Sequence, residues 1–376
     1  MKMRIMHLEF GSRAHGGAKQ VILLINALSE DDFEHILVCQ ESSELATLTL
    51  KNCKTLPIPF GGALDITSVY RVRDIIEEHK PDIVHVHSRR GGDLWGALAA
   101  KISGIPAICT RRADDPESLL AKFKYSHFEA VVSVSHGVQE VVKNHCPENI
   151  SQHIIPFCVQ EKEFTHSPNR NWLNKKYNIP AHHQVIASFA QLSPRKGQAD
   201  IIVSMPDILA ENPDITCLLF GRGRQKENYQ TLIDRYQLND HVKLCGFTKH
   251  VDRVLPNIDV VLHPVYAEGL GVTVLQAAVC KRPIITTPVG GIPDIIEHEK
   301  SGLMIMPGDF GLLKDAVLRL LQDKALAEKL GNHAYQHVTR SFTPEAMAKK
   351  YASLYQSLFT QETPDVAHVD EDHSKY

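Results

Sequence analysis

A chain of 376 residues is too long for one ordinary core and predicts two domains. Its 43% hydrophobic and 23% charged content is that of an ordinary globular protein, and a formal charge of -3 argues against a general nucleic-acid binder, which needs a basic surface. No segment approaches the ~20 apolar residues of a membrane span, and residues 5–10 are too short and interrupted for a signal-peptide core.

The first half alternates strand and helix. Strand-like apolar runs stand at 4–10, 35–40, 82–88, 106–110 and 130–135. Helix-like runs stand between them, at 18–28, 67–79, 93–103, 117–125 and 137–144. This order predicts a parallel sheet with helices on both faces. After the first strand comes Gly16-Gly17 at a helix start, which can cradle a phosphate or simply make the turn. No G-x-G-x-x-G follows the strand, which disfavours a dehydrogenase.

In Asp82-Ile83-Val84-His85-Val86-His87-Ser88, His85 and His87 are two apart and share one strand face near the ligand end of the sheet. They read as a metal pair, for which the sequence places no third ligand, or as hydrogen-bonded structural histidines. Arg89-Arg90 and Arg111-Arg112 each follow a strand end and are expected to gather on one rim. Clustered guanidiniums there suit a phosphate or carboxylate, and solvated charge is the alternative.

A polar, proline-marked stretch from 161 to 183 predicts the domain boundary. Beyond it the alternation restarts, with strands at 185–191, 216–220, 242–246, 259–263 and 283–287. The turns after them carry Arg195-Lys196-Gly197, Gly221-Arg222-Gly223, Phe247-Thr248, Glu268-Gly269-Leu270-Gly271 and Val289-Gly290-Gly291, all expected on one sheet edge. The adjacent Arg195 and Lys196 could neutralise a diphosphate. At 268–271 a glycine-broken turn opens a helix whose unpaired N–H groups face the same edge. Glu268 is awkward beside an anion, so a neutral polyol such as a sugar is its expected partner, unless the acid is incidental. From 311 the chain reads as helices at 311–321, 325–339 and 344–358, the last capped by Thr343 before Pro344. The polar tail 361–376, with Asp370-Glu371-Asp372, is expected to be disordered. The eight cysteines are scattered without a C-x-x-C pair and read as buried free thiols in a reducing, cytoplasmic compartment.

Taken together, Gly16-Gly17, the His85/His87 strand, Arg195-Lys196-Gly197, Gly221-Arg222-Gly223, Glu268-Gly269-Leu270-Gly271 and Val289-Gly290-Gly291-Ile292-Pro293-Asp294 resemble the retaining glycosyltransferases of family 4. The resemblance covers nearly the whole chain apart from the tail. It implies an α/β GT-B fold, with two Rossmann-like doubly wound domains facing across a cleft. The implied divisions are an acceptor-binding domain at 1–166, a linker at 167–182, a donor-binding domain at 183–343 and a helix at 344–360 that crosses back to the first domain. It also implies transfer of a sugar from a nucleotide-diphosphate sugar, with UDP the expected nucleotide, to an acceptor hydroxyl with retained configuration. Bacterial lipopolysaccharide or another cell-envelope glycan is the expected product, and peripheral contact with the cytoplasmic face of the inner membrane goes with a lipid-linked, anionic acceptor.

The resemblance assigns Arg195, Lys196 and Glu268 to catalysis, and Gly17, Phe247, Thr248, Gly269, Leu270, Gly271 and Gln276 to the donor. His87, Arg89, Arg90, Arg111 and Arg112 are the expected acceptor residues, and neither metal nor cofactor is expected. Three positions depart from the family pattern. Gln276 replaces the glutamate that binds the donor ribose, Arg112 stands where a histidine faces the reacting centre, and Phe157-Cys158 replaces an asparagine-glycine pair. A sugar-nucleotide 2-epimerase of the same fold and a non-catalytic sugar-nucleotide or glycan-binding protein remain as alternatives.

Overall fold

The computed structural model describes residues 2–14, 16–88, 91–117 and 120–361. Arg89 and Arg90, and the tail beyond 361, lie outside the described residues. Among the described residues the chain forms two all-parallel sheets. The first contains β1 (Met3–Glu9), β2 (Phe33–Gln40), β3 (Cys53–Ile58), β4 (Ile83–Val86), β5 (Ala107–Arg111), β6 (Ala130–Ser133) and β7 (Ser151–Ile154), in the order β3-β2-β1-β4-β5-β6-β7. The second contains β8 (Gln184–Phe189), β9 (Ile215–Phe220), β10 (Val242–Gly246), β11 (Val260–His263), β12 (Ile284–Thr286) and β13 (Leu303–Met304), in the order β10-β9-β8-β11-β12-β13.

The helices are α1 (Gly17–Ala27), α2 (Thr67–His79), α3 (Gly92–Ile102), α4 (Ala121–Tyr125), α5 (His136–Lys143), α6 (Arg170–Tyr177), α7 (Gln198–Glu211), α8 (Lys226–Arg235), α9 (Val251–Val254), α10 (Val272–Val279), α11 (Phe310–Gln322), α12 (Lys324–Ser341) and α13 (Pro344–Gln361). Central strands such as β4, β9 and β11 are buried along their whole length. Burial on both faces is why they read as unbroken apolar runs.

The differences from the sequence reading sit at sheet edges and in polar stretches. β3, β7 and β13 are the additional strands, and β7 (Ser151-Gln152-His153-Ile154) is only partly buried. The expected linker contains α6. Asn169 caps it by accepting from Trp172 N at 2.9 Å, and Asn178 ends it in a left-handed conformation. Of the helix expected at 117–125, α4 forms over Ala121–Tyr125, and Glu117 makes a buried ion pair with Arg111.

Both domains belong to the GT-B fold, and α13 crosses back to the first sheet. Met347, Tyr351, Leu354, Tyr355 and Leu358 are all at most 7% exposed and join Ile5, Leu24, Phe33 and Val132 in one core. Each such side chain contributes roughly 1.5–3 kcal/mol as an upper estimate. A second buried cluster runs across the seam, bringing Val134 and Val138 of the first domain together with Leu270 and Ile292 of the second. The eight cysteines are free thiols, all buried or half-buried.

Candidate functional site between the two sheets

The strand ends carrying the loaded turns face each other across this seam. On the second domain, the chain leaves β8 into a short helical turn at Pro194–Lys196 and closes it with Gly197 at φ 68°. Gly197 is required twice there, by its positive φ and because a side chain would run into the carbonyl of Pro264. That tight approach aligns the turn with the one after β11. Tyr266 N donates to Arg195 O at 2.8 Å, and Lys196 Nζ lies 2.7 Å from Glu268 Oε2.

Glu268 is held from three directions. Its Oε2 also lies 3.0 Å from His263 Nε2, and its Oε1 accepts from Gly269 N at 3.1 Å. Burial alone would raise its pKa, but the hydrogen bond and charge of His263, reinforced by Lys196, outweigh it and hold the carboxyl at about 2. Beyond it, Gly269, Leu270 and Gly271 lead into α10, which has no side-chain cap, so its first amides are open to a ligand. Leu270 itself is buried, so only its backbone can serve a donor. Gln276 is half-buried one turn into α10.

At the far side of this rim Phe247 is exposed, and the Arg222 guanidinium lies 5.1 Å from its ring centre. This pair forms a ledge after β9 and β10, with Thr248 beside it accepting from His250 N at 3.1 Å and hydrogen-bonded to the Tyr177 side chain of α6. Arg222 was visible in the sequence only as the middle of a glycine motif.

The first domain closes on this rim more tightly than its sequence suggests. Ser135 caps α5 and also donates its hydroxyl to Gly269 O at 2.6 Å. His136 meets Asp294, with His136 N donating at 2.9 Å. Gly269 has no room for a side chain, which would strike the carbonyl of Arg112. Asp114 and Asp115, just past β5, reach Arg195: Nη2 donates to Asp114 Oδ1 at 2.7 Å and Nη1 pairs with Asp115. Asp114 Oδ2 accepts from Glu268 N at 2.8 Å. Neither aspartate stood out in the sequence, because their partners lie about eighty residues away along the chain.

Two of the expected acceptor residues are corrected by these contacts. Arg111 is only 1% exposed, its Nε lies 2.8 Å from the equally buried Glu117, and its Nη2 donates to Asp115 O at 2.5 Å. It braces the loop after β5 and presents nothing to the cleft. His87 is 4% exposed and lies in a buried histidine network. His7 Nδ1 is 3.0 Å from His87 Nε2, and His7 Nε2 is 3.1 Å from His35 Nδ1. His85 meets Tyr355 OH at 2.6 Å and Thr110 Oγ1 at 2.7 Å.

His7 is the third histidine that the sequence did not place beside His85 and His87; the β1–β4 register puts it directly opposite His85. Both ring nitrogens of His7 and of His85 have hydrogen-bond partners, whereas His35 Nε2 is buried without one among the described residues; His7, His85 and His87 also stand close enough together to hold a metal ion. Arg112 does reach the cleft edge. It pairs with Glu9 at 2.5 Å, donates to His87 O, and lies so close to Gly17 that a side chain there would strike it.

Two parallel α/β domains close on a seam where Arg195 meets Asp114 and Asp115 and Lys196 meets Glu268, the architecture of the two-domain GT-B type. Residues 169–337 match the family described as Glycosyl transferases group 1, and residues 14–160 match Glycosyltransferase Family 4. The chain thus carries both of these glycosyltransferase domains, one after the other. The N-acetyl-alpha-D-glucosaminyl L-malate synthase of Bacillus anthracis is 25% identical over 305 residues, 77% of this chain and 78% of that one. The UDP-Gal:alpha-D-GlcNAc-diphosphoundecaprenol alpha-1,3-galactosyltransferase of Escherichia coli is 22% identical over 379 residues, 94% and 97% of the two chains. The crystal structure of Anabaena HepE with UDP and glucose superposes with a TM-score of 0.81 at 20% identity, covering 94% of this chain and 100% of that one. Among the described residues no helix is long and apolar enough to cross a membrane.

Proposed function

We propose that this glycosyltransferase moves a sugar from a UDP-sugar to a hydroxyl of a cell-envelope glycan or lipid-linked acceptor, with retained configuration and without a metal ion. The observation that carries the reading is the pairing of Lys196 with Glu268 at one sheet edge, beside an Arg195 held by Asp114 and Asp115 across a closed interdomain seam. Arg195 and Lys196 meet the charge that develops on the departing diphosphate, the task a metal ion performs in other designs. Glu268, ionised throughout the working range, takes donor sugar hydroxyls together with the amides at 269–271. The Phe247–Arg222 ledge suits the base, and Gln276, an amide in place of the family's carboxylate, keeps a hydrogen-bonding contact to the ribose. Gly17 stands beside the diphosphate or sugar.

No enzyme nucleophile is required if the acceptor attacks from the front face and passes its proton to the leaving phosphate. Closure of the seam keeps water from the donor. The name of the Escherichia coli relative supports a lipid-linked acceptor, and the reading places the encounter with it at the cytoplasmic membrane face. With Arg111 sealed, an anionic acceptor group rests on Arg112 among the described residues.

The test is transfer from UDP-sugars by Arg195→Ala and Lys196→Ala, with and without EDTA, and with the anomeric configuration of the product read by NMR. Each substitution should lower transfer by orders of magnitude while leaving the thermal unfolding midpoint in place, and EDTA should leave the wild-type rate unchanged. Near-normal turnover in either variant removes the diphosphate role. Loss of activity in EDTA that a divalent ion restores removes the metal-free mechanism.

A further inference from the structure

Arg195 offers two terminal nitrogens, and both are already committed to carboxylates of the opposite domain. The forked geometry that lets a guanidinium grip a phosphate is here filled by Asp114 and Asp115. The arrangement is built rather than incidental. Arg111, sealed against Glu117, donates to the Asp115 carbonyl and so fixes the direction in which the loop presents its acids. Asp114 bridges further, accepting the Glu268 amide with its second oxygen. One side chain therefore ties both the cation and the carboxylate turn of the donor edge to the first domain.

We propose that Asp114 and Asp115 are positioning residues that hold Arg195 in place of the donor diphosphate, so that donor binding is an exchange at this guanidinium. This deepens the donor-site assignment above and rests on it. The exchange follows from charge: Asp114 and Asp115 already lie against the two terminal nitrogens, and a diphosphate brought to the same guanidinium repels both carboxylates and displaces them. Until it does, the cation is neutralised and preset in orientation. A ligand without phosphate has nothing to exchange and leaves the pairing intact. The specificity consequence is selection for the diphosphate portion of the donor, because only that portion competes with the two acids.

Asp115→Asn is the informative variant, since Asp114 also holds the Glu268 amide. UDP affinity is measured by calorimetry in wild type, Asp115→Asn, Arg195→Ala and the double variant, with uridine as the phosphate-free control and thermal unfolding as the check on folding. The Arg195 guanidinium is 44% exposed and Asp115 40%, so screening limits the pair, and removing one competitor should tighten UDP about two- to fivefold. Uridine affinity should not change, and Asp115→Asn should have no effect on UDP once Arg195 is alanine. If Arg195→Ala weakens UDP but Asp115→Asn leaves UDP affinity unchanged or lowers it, the exchange is wrong and the diphosphate assignment stands. If uridine tightens equally, the effect does not pass through Arg195 and the exchange is again wrong. If Arg195→Ala leaves UDP affinity untouched, the diphosphate assignment itself fails and the exchange falls with it.

Discussion

Glu268 shows how one residue can be both buried and reliably charged. Its desolvation is offset by His263 and Lys196 within 3.0 Å, so its proton leaves far below neutrality. A charge so anchored is also a fixed point for its neighbours, because Lys196 has no other carboxylate among its described ion pairs. Glu268→Gln preserves size and one acceptor oxygen while removing the charge. Transfer should fall on the order of 100-fold through misplacement of the reacting sugar. UDP affinity should change far less if, as proposed, Glu268 takes the sugar and not the diphosphate. Separate measurements of transfer kcat/KM and UDP Kd read the two effects. A variant that loses UDP affinity and keeps its turnover would place Glu268 on the diphosphate instead.

At the scale of elements, α13 is the piece that makes the first domain depend on the end of the chain. Its apolar side closes the core, and its two tyrosines supply hydroxyls that a sheet face of histidines needs: Tyr355 to His85 and Tyr351 to Thr110 at 2.9 Å. Tyr355→Phe keeps the packing and leaves a buried imidazole nitrogen without its partner. The expected cost is about 1–3 kcal/mol, read from urea unfolding, and an unchanged midpoint would mean that the imidazole finds another partner. Elements of this kind differ in how far the sequence discloses them. Strands buried on both faces, such as β4 and β11, announce themselves as apolar runs. β7, polar and partly exposed at a sheet edge, does not, and α6 hides in a polar stretch because its only fully buried side chain is Leu173. That Arg195, Lys196 and Glu268 share one sheet edge was legible because strand-end turns carry these cations, the acid and their glycines in the chain itself. The acidic pair facing it was not, since an ion pair between residues 114 and 195 leaves no local pattern. Arg111 and His87 were misread for a related reason: a strand end near a cleft says where the backbone points, whereas burial of the side chain is decided by partners such as Glu117 and His7 on other elements.

For the molecule as a whole, the histidine network ties stability to pH. Burial depresses His35 to about 4, with Glu34 opposing, and His85 to about 3, with Arg112 adding to the effect. His7 and His87 are lowered well below their ordinary 6.5 by burial first and by neighbouring histidines second. The groups facing this network from packed elements are Arg112, Glu9, Thr110 and the hydroxyls of Tyr351 and Tyr355. In the unfolded chain each ring takes up its proton near 6.5, while in the fold it stays neutral to a lower pH. Between those values the unfolded state binds more protons, so stability is complete about a unit above pH 6.5, begins to fall as the pH passes through 6.5 and falls further as it drops toward 4 and then 3. The slope approaches about 1.4 kcal/mol per pH unit for each histidine engaged. Glu268 acts in the same direction but only below its ordinary 4.5, as the pH falls toward its folded value of about 2. The window from 6.5 to 4.5 therefore belongs to the histidines. Urea unfolding at pH 8, 6.5, 5.5 and 4.5 should show a small loss between the first two points, about 0.4 kcal/mol for each histidine engaged, and a steep decline across the others, shallower in His35→Asn. A stability that stays level from pH 6.5 to 4.5 would mean that the network is protonated in the fold or is open to water, and would withdraw it as the lock between α13 and the first sheet.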